Sequence, residues 1–167
     1  SQLGVPTQGV YFNYKNDERI FPRFLEEKGI PGTALSVEGS LRMNVKLFDE
    51  VTRVMTECNE KGFPVTEEDV QRAFDAIVEK IDESTAVVLT GSVPPGVPAD
   101  FYYKLILEIK RRGKIAILDA DKDLFREGIK ACFADYRPFY DEATRRSRAT
   151  GMYRQNFCGC RFSEAEA

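Results

Sequence analysis

Apolar residues recur along this chain at two spacings, and the changes between them divide it into elements. Residues 4–13 read as an extended strand, with the polar stretch from Tyr14 to Arg19 beyond it. Residues 21–28, closed by Gly29, have the pattern of a helix with a glycine stop. Residues 33–37 are extended again. From 41 to 48 the chain alternates strictly: Leu41, Met43, Val45 and Leu47 take one face, and Arg42, Asn44, Lys46 and Phe48 the other. Residues 51–57 are a third extended candidate. Thr66 followed by Glu67, Glu68 and Asp69 marks a helix start, with a capping hydroxyl and acids in the first turn. Val70, Phe74, Ile77, Val78 and Ile81 then recur at helical spacing, which predicts an amphipathic helix to about Lys80.

The stretch from Thr85 to Pro98 is the most informative. Ala86 to Leu89 is a β-branched apolar run with the composition of a buried strand. Gly91-Ser92 ends it, Pro94-Pro95-Gly96 stiffens and redirects the chain, and an amphipathic segment follows over about 98–112. Strand, Gly-Ser turn, helix is how open α/β sheets build an anion or sugar site at the carboxyl end of a strand. A rigid connection with no ligand has the same spacing, so both readings stay open. Residues 114–119 form another buried strand ending on an acid, and 123–131 a short helix. This alternation predicts a parallel sheet of three or four strands flanked by helices, with right-handed crossovers. A parallel sheet cut short exposes an unpaired edge. After Ala131 the texture changes, with aromatics at 133, 136, 139 and 140, then a Glu/Arg-rich helical stretch over about 140–150. That change is the best candidate for a seam.

Composition narrows the chemistry. The 167 residues suit one domain of ordinary size, and 43% hydrophobic with 31% charged content is that of a soluble globular protein. A net charge of −3 argues against a nucleic-acid partner; Arg145, Arg146, Arg148 and Arg154 read better as a solvated face. No apolar run is long enough to span a bilayer and no signal-peptide pattern opens the chain, so no membrane partner and a cytoplasmic location are expected. Histidine is absent, which removes Ser-His-Asp and Cys-His catalysis from these residues and leaves proton transfer to carboxylates, Lys, Tyr or Cys. The four cysteines read as reduced thiols. Cys158 and Cys160 could offer two thiolates to a soft metal, but a complete cluster needs more ligands, so an unligated pair is the simpler reading. On the alternating segment, Arg42, Asn44 and Lys46 have the donors of a phosphate clamp, and Gly91-Ser92 could add backbone N–H groups and a hydroxyl. A half-solvated antiparallel strand would show the same alternation.

Two resemblances build on these motifs. The stretch Val37-Glu38-Gly39-Ser40-Leu41-Arg42-Met43-Asn44-Val45-Lys46-Leu47-Phe48-Asp49 resembles pfkB-family sugar-phosphate kinases of the 1-phosphofructokinase and tagatose-6-phosphate kinase branch. So do Thr90-Gly91-Ser92-Val93-Pro94-Pro95-Gly96 and Ile117-Leu118-Asp119, and the similarity covers about residues 23–131. It implies a partial ribokinase-like, three-layer α/β fold with a small β-lid at about 33–57, which in this family pairs with the lid of a second subunit. It also implies ATP, magnesium and a sugar-phosphate substrate, with Arg42, Asn44 and Lys46 on the lid and Gly91 and Ser92 on the substrate side. The family's glycine-rich turn before the first helix is replaced here by Asn13-Tyr14-Lys15-Asn16. The Lys-Pro-Asn strand and the Gly-Ala-Gly-Asp motif that carries the catalytic base are not in the sequence, so no catalytic residue is assigned and no useful kinase activity is expected of it.

The end of the chain, Tyr153-Arg154-Gln155-Asn156-Phe157-Cys158-Gly159-Cys160, resembles QueH-type epoxyqueuosine reductases, iron–sulfur enzymes of tRNA queuosine synthesis, over about 132–164. Only Cys158 and Cys160 map onto that family's cysteines, so an iron–sulfur cluster is not expected. Two families in one chain suggest a chimera or a truncation. An inactive kinase-like module leads, a structural or synthetic module without activity is the alternative, and a cluster-bearing reductase comes third.

Overall fold

A computed structural model describes residues 4–133. The α/β character expected from the sequence is present, but among the described residues the parallel strands form two separate pairs rather than one sheet of three or four. The chain divides into two compact units: one takes in the residues up to Ile77 together with Val93–Val97, the other Val78–Ser92 and the residues from Pro98 onward.

In the first unit, β1 (Gly9–Tyr14) pairs in parallel with β2 (Gly32–Val37), Gly9 opposite Gly32 and Tyr14 opposite Val37. Strand β1 begins later than its composition suggests and includes Tyr14, which is buried rather than polar surface. Between the strands lies α1 (Ile20–Glu27), and Gly29 follows with φ +64, the left-handed stop its glycine announces. Tyr14 and Val37 pack with Val65 into a small core, completed by Phe12, Leu41, Val70 and Val97.

An antiparallel hairpin follows, β3 (Asn44–Phe48) with β4 (Met55–Asn59), and every residue of both strands is exposed. The extended segment expected at 51–57 begins four residues later and ends two residues later, as β4. Asp49 is the reason: its Oδ1 accepts the N–H groups of Val51 (2.8 Å) and Thr52 (3.1 Å), closing a turn, and Arg53 adopts φ 58 within it. Residues 33–37 pair with β1, so the hairpin itself is confined to 44–59.

Helix α2 (Glu67–Ile81) opens as its sequence suggests, with Asp69 N–H donating to Thr66 Oγ1 at 3.2 Å and Thr66 N–H to Asp69 Oδ2 at 2.9 Å. The division between the units falls inside this helix, after Ile77. The Pro-Pro-Gly run is tied to the first unit. Val65 N–H donates to Pro95 O at 2.9 Å, and Gly96, at φ +98, lies so close that a Cβ there would stand 2.2 Å from the Val65 carbonyl oxygen.

In the second unit β5 (Ala86–Thr90) pairs in parallel with β6 (Ile115–Asp119), joined by α3 (Phe101–Arg111). The helix starts three residues later than the amphipathic pattern because Phe101 N–H bonds Pro98 O in a preceding turn. Short helices α4 (Lys122–Gly128) and α5 (Lys130–Phe133) close the described chain, splitting the single helix expected at 123–131. Helix α3 packs on α4, α5 and β6, with Leu105, Ile106 and Ile109 fully enclosed. Only one face of this parallel pair is covered among the described residues: Leu89 is buried, whereas Val88, Ile115 and Ile117 are exposed. The apolar run from Ala86 to Leu89 is thus half-buried, not enclosed on both faces.

Candidate functional site

Arg42 stands just before β3, where the chain climbs from β2 into the hairpin. The stem of its side chain runs along Gly62, whose Cβ position is 3.5 Å from Arg42 Cβ and 3.8 Å from Cδ. Its positive charge acts on the buried Tyr14 phenol, whose pKa burial raises and the Arg42 charge pulls back. Tyr14 donates its hydroxyl hydrogen to Phe63 O at 3.2 Å, binding β1 to the segment that returns from the hairpin.

The loop bearing Arg42 is held at several points. Asp17 Oδ2 accepts Leu41 N–H at 2.9 Å, Asn16 Nδ2 donates to Ser40 Oγ at 2.9 Å, and Asn16 N–H donates to Gly39 O at 3.2 Å. Lys15 pairs with Glu38. Met43 and Glu60 close the base of the hairpin, through Met43 N–H on Glu60 Oε2 (2.8 Å) and Glu60 N–H on Met43 O (3.3 Å). All these groups belong to the first unit, and residues 15–17 and 38–41 follow the carboxyl ends of β1 and β2, the end at which open parallel sheets accept ligands.

Asn44 opens β3 opposite Asn59. Lys46 lies one pair further along the same face and is engaged by Glu57 across the strands at 2.8 Å, which depresses the Glu57 carboxyl. Sequence reasoning assigned Lys46 to a phosphate clamp; here its ammonium has a cross-strand carboxylate partner. The alternation expected over 41–48 is confined to the strand at 44–48, where Val45 and Leu47 lie on the face opposite Asn44 and Lys46 and both faces are exposed; Leu41 packs into the small core instead.

Gly91 and Ser92 follow β5 in the second unit. Gly91 has φ +84 and its N–H donates to Asp119 O at 2.8 Å, extending the pairing of β5 with β6. Thr90 Oγ1 donates to Asp119 Oδ2 at 3.1 Å. The Tyr102 hydroxyl, 3.2 Å from Thr90 O and 3.3 Å from Gly91 O, pins the turn, and its pKa is raised by burial and by the Asp119 charge. Asp119, Tyr102 and Thr90, to which the motif reading gave no role, thus set the shape of this turn. The acid at the end of 114–119 was the available signal.

Cys158 and Cys160 lie outside the described residues. Cys58 is exposed on β4 and Cys132 buried in α5. Among the described residues no three Cys, Asp or Glu side chains gather as a group able to hold a metal ion. No described helix is long and apolar enough to cross a membrane.

Comparison with known proteins gives two similarities. The 1-phosphofructokinase of Vibrio cholerae is 26% identical over 132 residues, covering 78% of this chain and 41% of that enzyme. The Bacillus subtilis 1-phosphofructokinase is 34% identical over 96 residues, 58% of this chain and 30% of the enzyme. The chain therefore spans about two fifths or less of the length of these relatives. Among solved structures, a possible 1-phosphofructokinase from Thermotoga maritima matches with a TM-score of 0.69 at 25% identity, covering 77% of this chain and 41% of that one. Phosphofructokinase-2 from Escherichia coli shares the fold, with a TM-score of 0.64 at 17% identity over 89% of this chain and 54% of that one. Separately, residues 106–166 match the family of epoxyqueuosine reductase QueH. That match begins inside α3, well before the change of texture at 131, so the two similarities overlap in the second unit. The chain is similar to pfkB-family 1-phosphofructokinases over most of its described length, in a partial ribokinase-like α/β fold, and to QueH from residue 106 onward.

Proposed function

We propose that this chain carries the sugar-phosphate-binding part of a 1-phosphofructokinase-like kinase and that these 167 residues alone bind without phosphoryl transfer. The observation that carries the reading is the place of Arg42: it follows the Leu41 amide that Asp17 holds, at the base of an exposed hairpin, in the segment that leaves the carboxyl end of β2. The planar guanidinium fork of Arg42 suits a phosphate, and Asn44 offers a neutral donor one residue beyond Met43. For Lys46, a phosphate would have to compete with Glu57. Gly91 and Ser92 are assigned substrate-side roles from the Gly-Ser-hydrophobic-Pro-Pro-Gly motif alone. ATP and magnesium belong to the reaction of the intact kinases. A cytoplasmic location and a homodimer through the hairpin, whose Val45, Leu47 and Met55 are exposed, complete the proposal.

Titration calorimetry with fructose 1-phosphate tests it. Binding is expected for the native chain and a loss of about tenfold or more for Arg42→Ala, the worth of a charge-assisted contact. Equal affinity of the two proteins, or no heat from either, refutes the assignment. The QueH match favours a second reading, in which Cys158 and Cys160 ligate iron. Anaerobic reconstitution that leaves the protein colourless and iron-free rejects it. Failure of both tests leaves a structural module without activity.

A further inference from the structure

We infer that Asp17 is a positioning residue for Arg42: the corner after β1 acts as a latch that fixes the loop carrying the guanidinium. The inference rests on the sugar-phosphate reading of Arg42. Its basis is that one short 3-10 turn, Lys15–Asp17, makes successive bonds to the segment leading into Arg42. Lys15 pairs with Glu38, Asn16 N–H reaches Gly39 O, Asn16 Nδ2 reaches Ser40 Oγ, and Asp17 Oδ2 receives Leu41 N–H. The last is a bond from a carboxylate to a main-chain amide one residue before Arg42, stronger than a neutral pair and part-buried. The far side of the loop is fixed as well, because Tyr14, the residue before the turn, holds Phe63 O. Phe63 in turn lies against Gly39, where a Cβ would stand 2.4 Å from its ring.

The consequence is chemical. An arginine loses rotamer and backbone freedom when it clamps an anion, and a loop already fixed has less of that freedom to lose. This corner occupies the place where the sequence departs from the glycine-rich turn of the kinases it resembles. The polar residues 15–17 there bind the hairpin's entry.

The experiment compares native chain, Asp17→Leu, Asp17→Asn and Asn16→Ala for affinity toward fructose 1-phosphate and inorganic phosphate, and for hydrogen-exchange protection of the Leu41 amide. Asp17→Leu should weaken both anions in parallel by about tenfold and lose Leu41 protection. Asp17→Asn keeps an acceptor oxygen and should bind within about threefold of the native chain, a rescue that general loss of packing would not produce. Asn16→Ala, which removes only the bond to Ser40, should give a smaller loss in the same direction and serves if Asp17→Leu fails to fold. Native-like affinity in Asp17→Leu with Leu41 protection gone, or in Asn16→Ala, overturns the inference. A native chain that binds neither anion overturns the sugar-phosphate reading itself, and is recognised before any variant is made.

Discussion

Replacing Gly96 with alanine puts the contact between the Pro-Pro-Gly turn and Val65 to a direct test. At φ +98 an L-residue carries strain of about 1–3 kcal/mol. The new Cβ would lie 2.2 Å from Val65 O and 3.3 Å from Val65 C, both backbone atoms, so no side-chain rotation relieves the clash. The turn must draw away, which costs the 2.9 Å bond from Val65 N–H to Pro95 O, about 1 kcal/mol. It also loosens Val65 in the small core with Tyr14 and Val37, worth about 1 kcal/mol more. Reduced freedom of the unfolded chain returns about 0.4–1 kcal/mol. The net expectation is a destabilisation of about 3 kcal/mol, a shift in the folding equilibrium of roughly a hundredfold. Gly29→Ala in the same unit is the control: at φ +64, with no neighbour within 4 Å, it should cost only about 1 kcal/mol. Urea unfolding followed by tyrosine fluorescence, with no tryptophan to mask it, measures both. If the two variants lose the same stability, the close approach of Gly96 to Val65 is not a determinant of this fold.

Leu105→Ala, at a position with no exposed surface, should cost about 2–5 kcal/mol in the same assay, while Val51→Ala, at 92% exposure, should change stability by under about 0.5 kcal/mol; equal effects would deny α3 its place in the core. Glu108 is held at about 2 by hydrogen bonds from Arg111 and Arg112, below the ordinary glutamate value of 4.5. A carboxyl depressed on folding contributes its full stability above 4.5 and loses it as pH falls toward 2. The native chain should therefore show a component of acid destabilisation between about pH 4.5 and 2 that Glu108→Gln lacks; identical pH profiles for the two would refute the pairing.

What could be read in advance depended on how far each element relies on its own residues. The Thr66 cap, the Gly29 stop and the extent of β5 are local, and the pattern of residues located all three. The hairpin was displaced because its turn is set by one carboxylate, Asp49, capping two amides, a choice that periodicity does not register. Burial of Tyr14 depends on a bond to Phe63 across 49 positions of sequence, and the contacts of Asn16 and Asp17 span 24. Such pairings leave no local trace, so Tyr14 to Arg19 looked like polar surface. Arg42 and Ser92 were singled out because they sit in recognisable strings; Asp17 and Tyr102, which bond to the neighbouring backbone, were given no role.

The hairpin buries none of its ten strand residues, and two strands by themselves are marginal in water. Its ladder adds little to the cooperative unit beneath, so it should open and close while the parallel pair stays folded. Evolution, or an engineer, is free to lengthen, recharge or exchange that flap at small thermodynamic penalty, provided its two roots at Met43 and Glu60 stay joined.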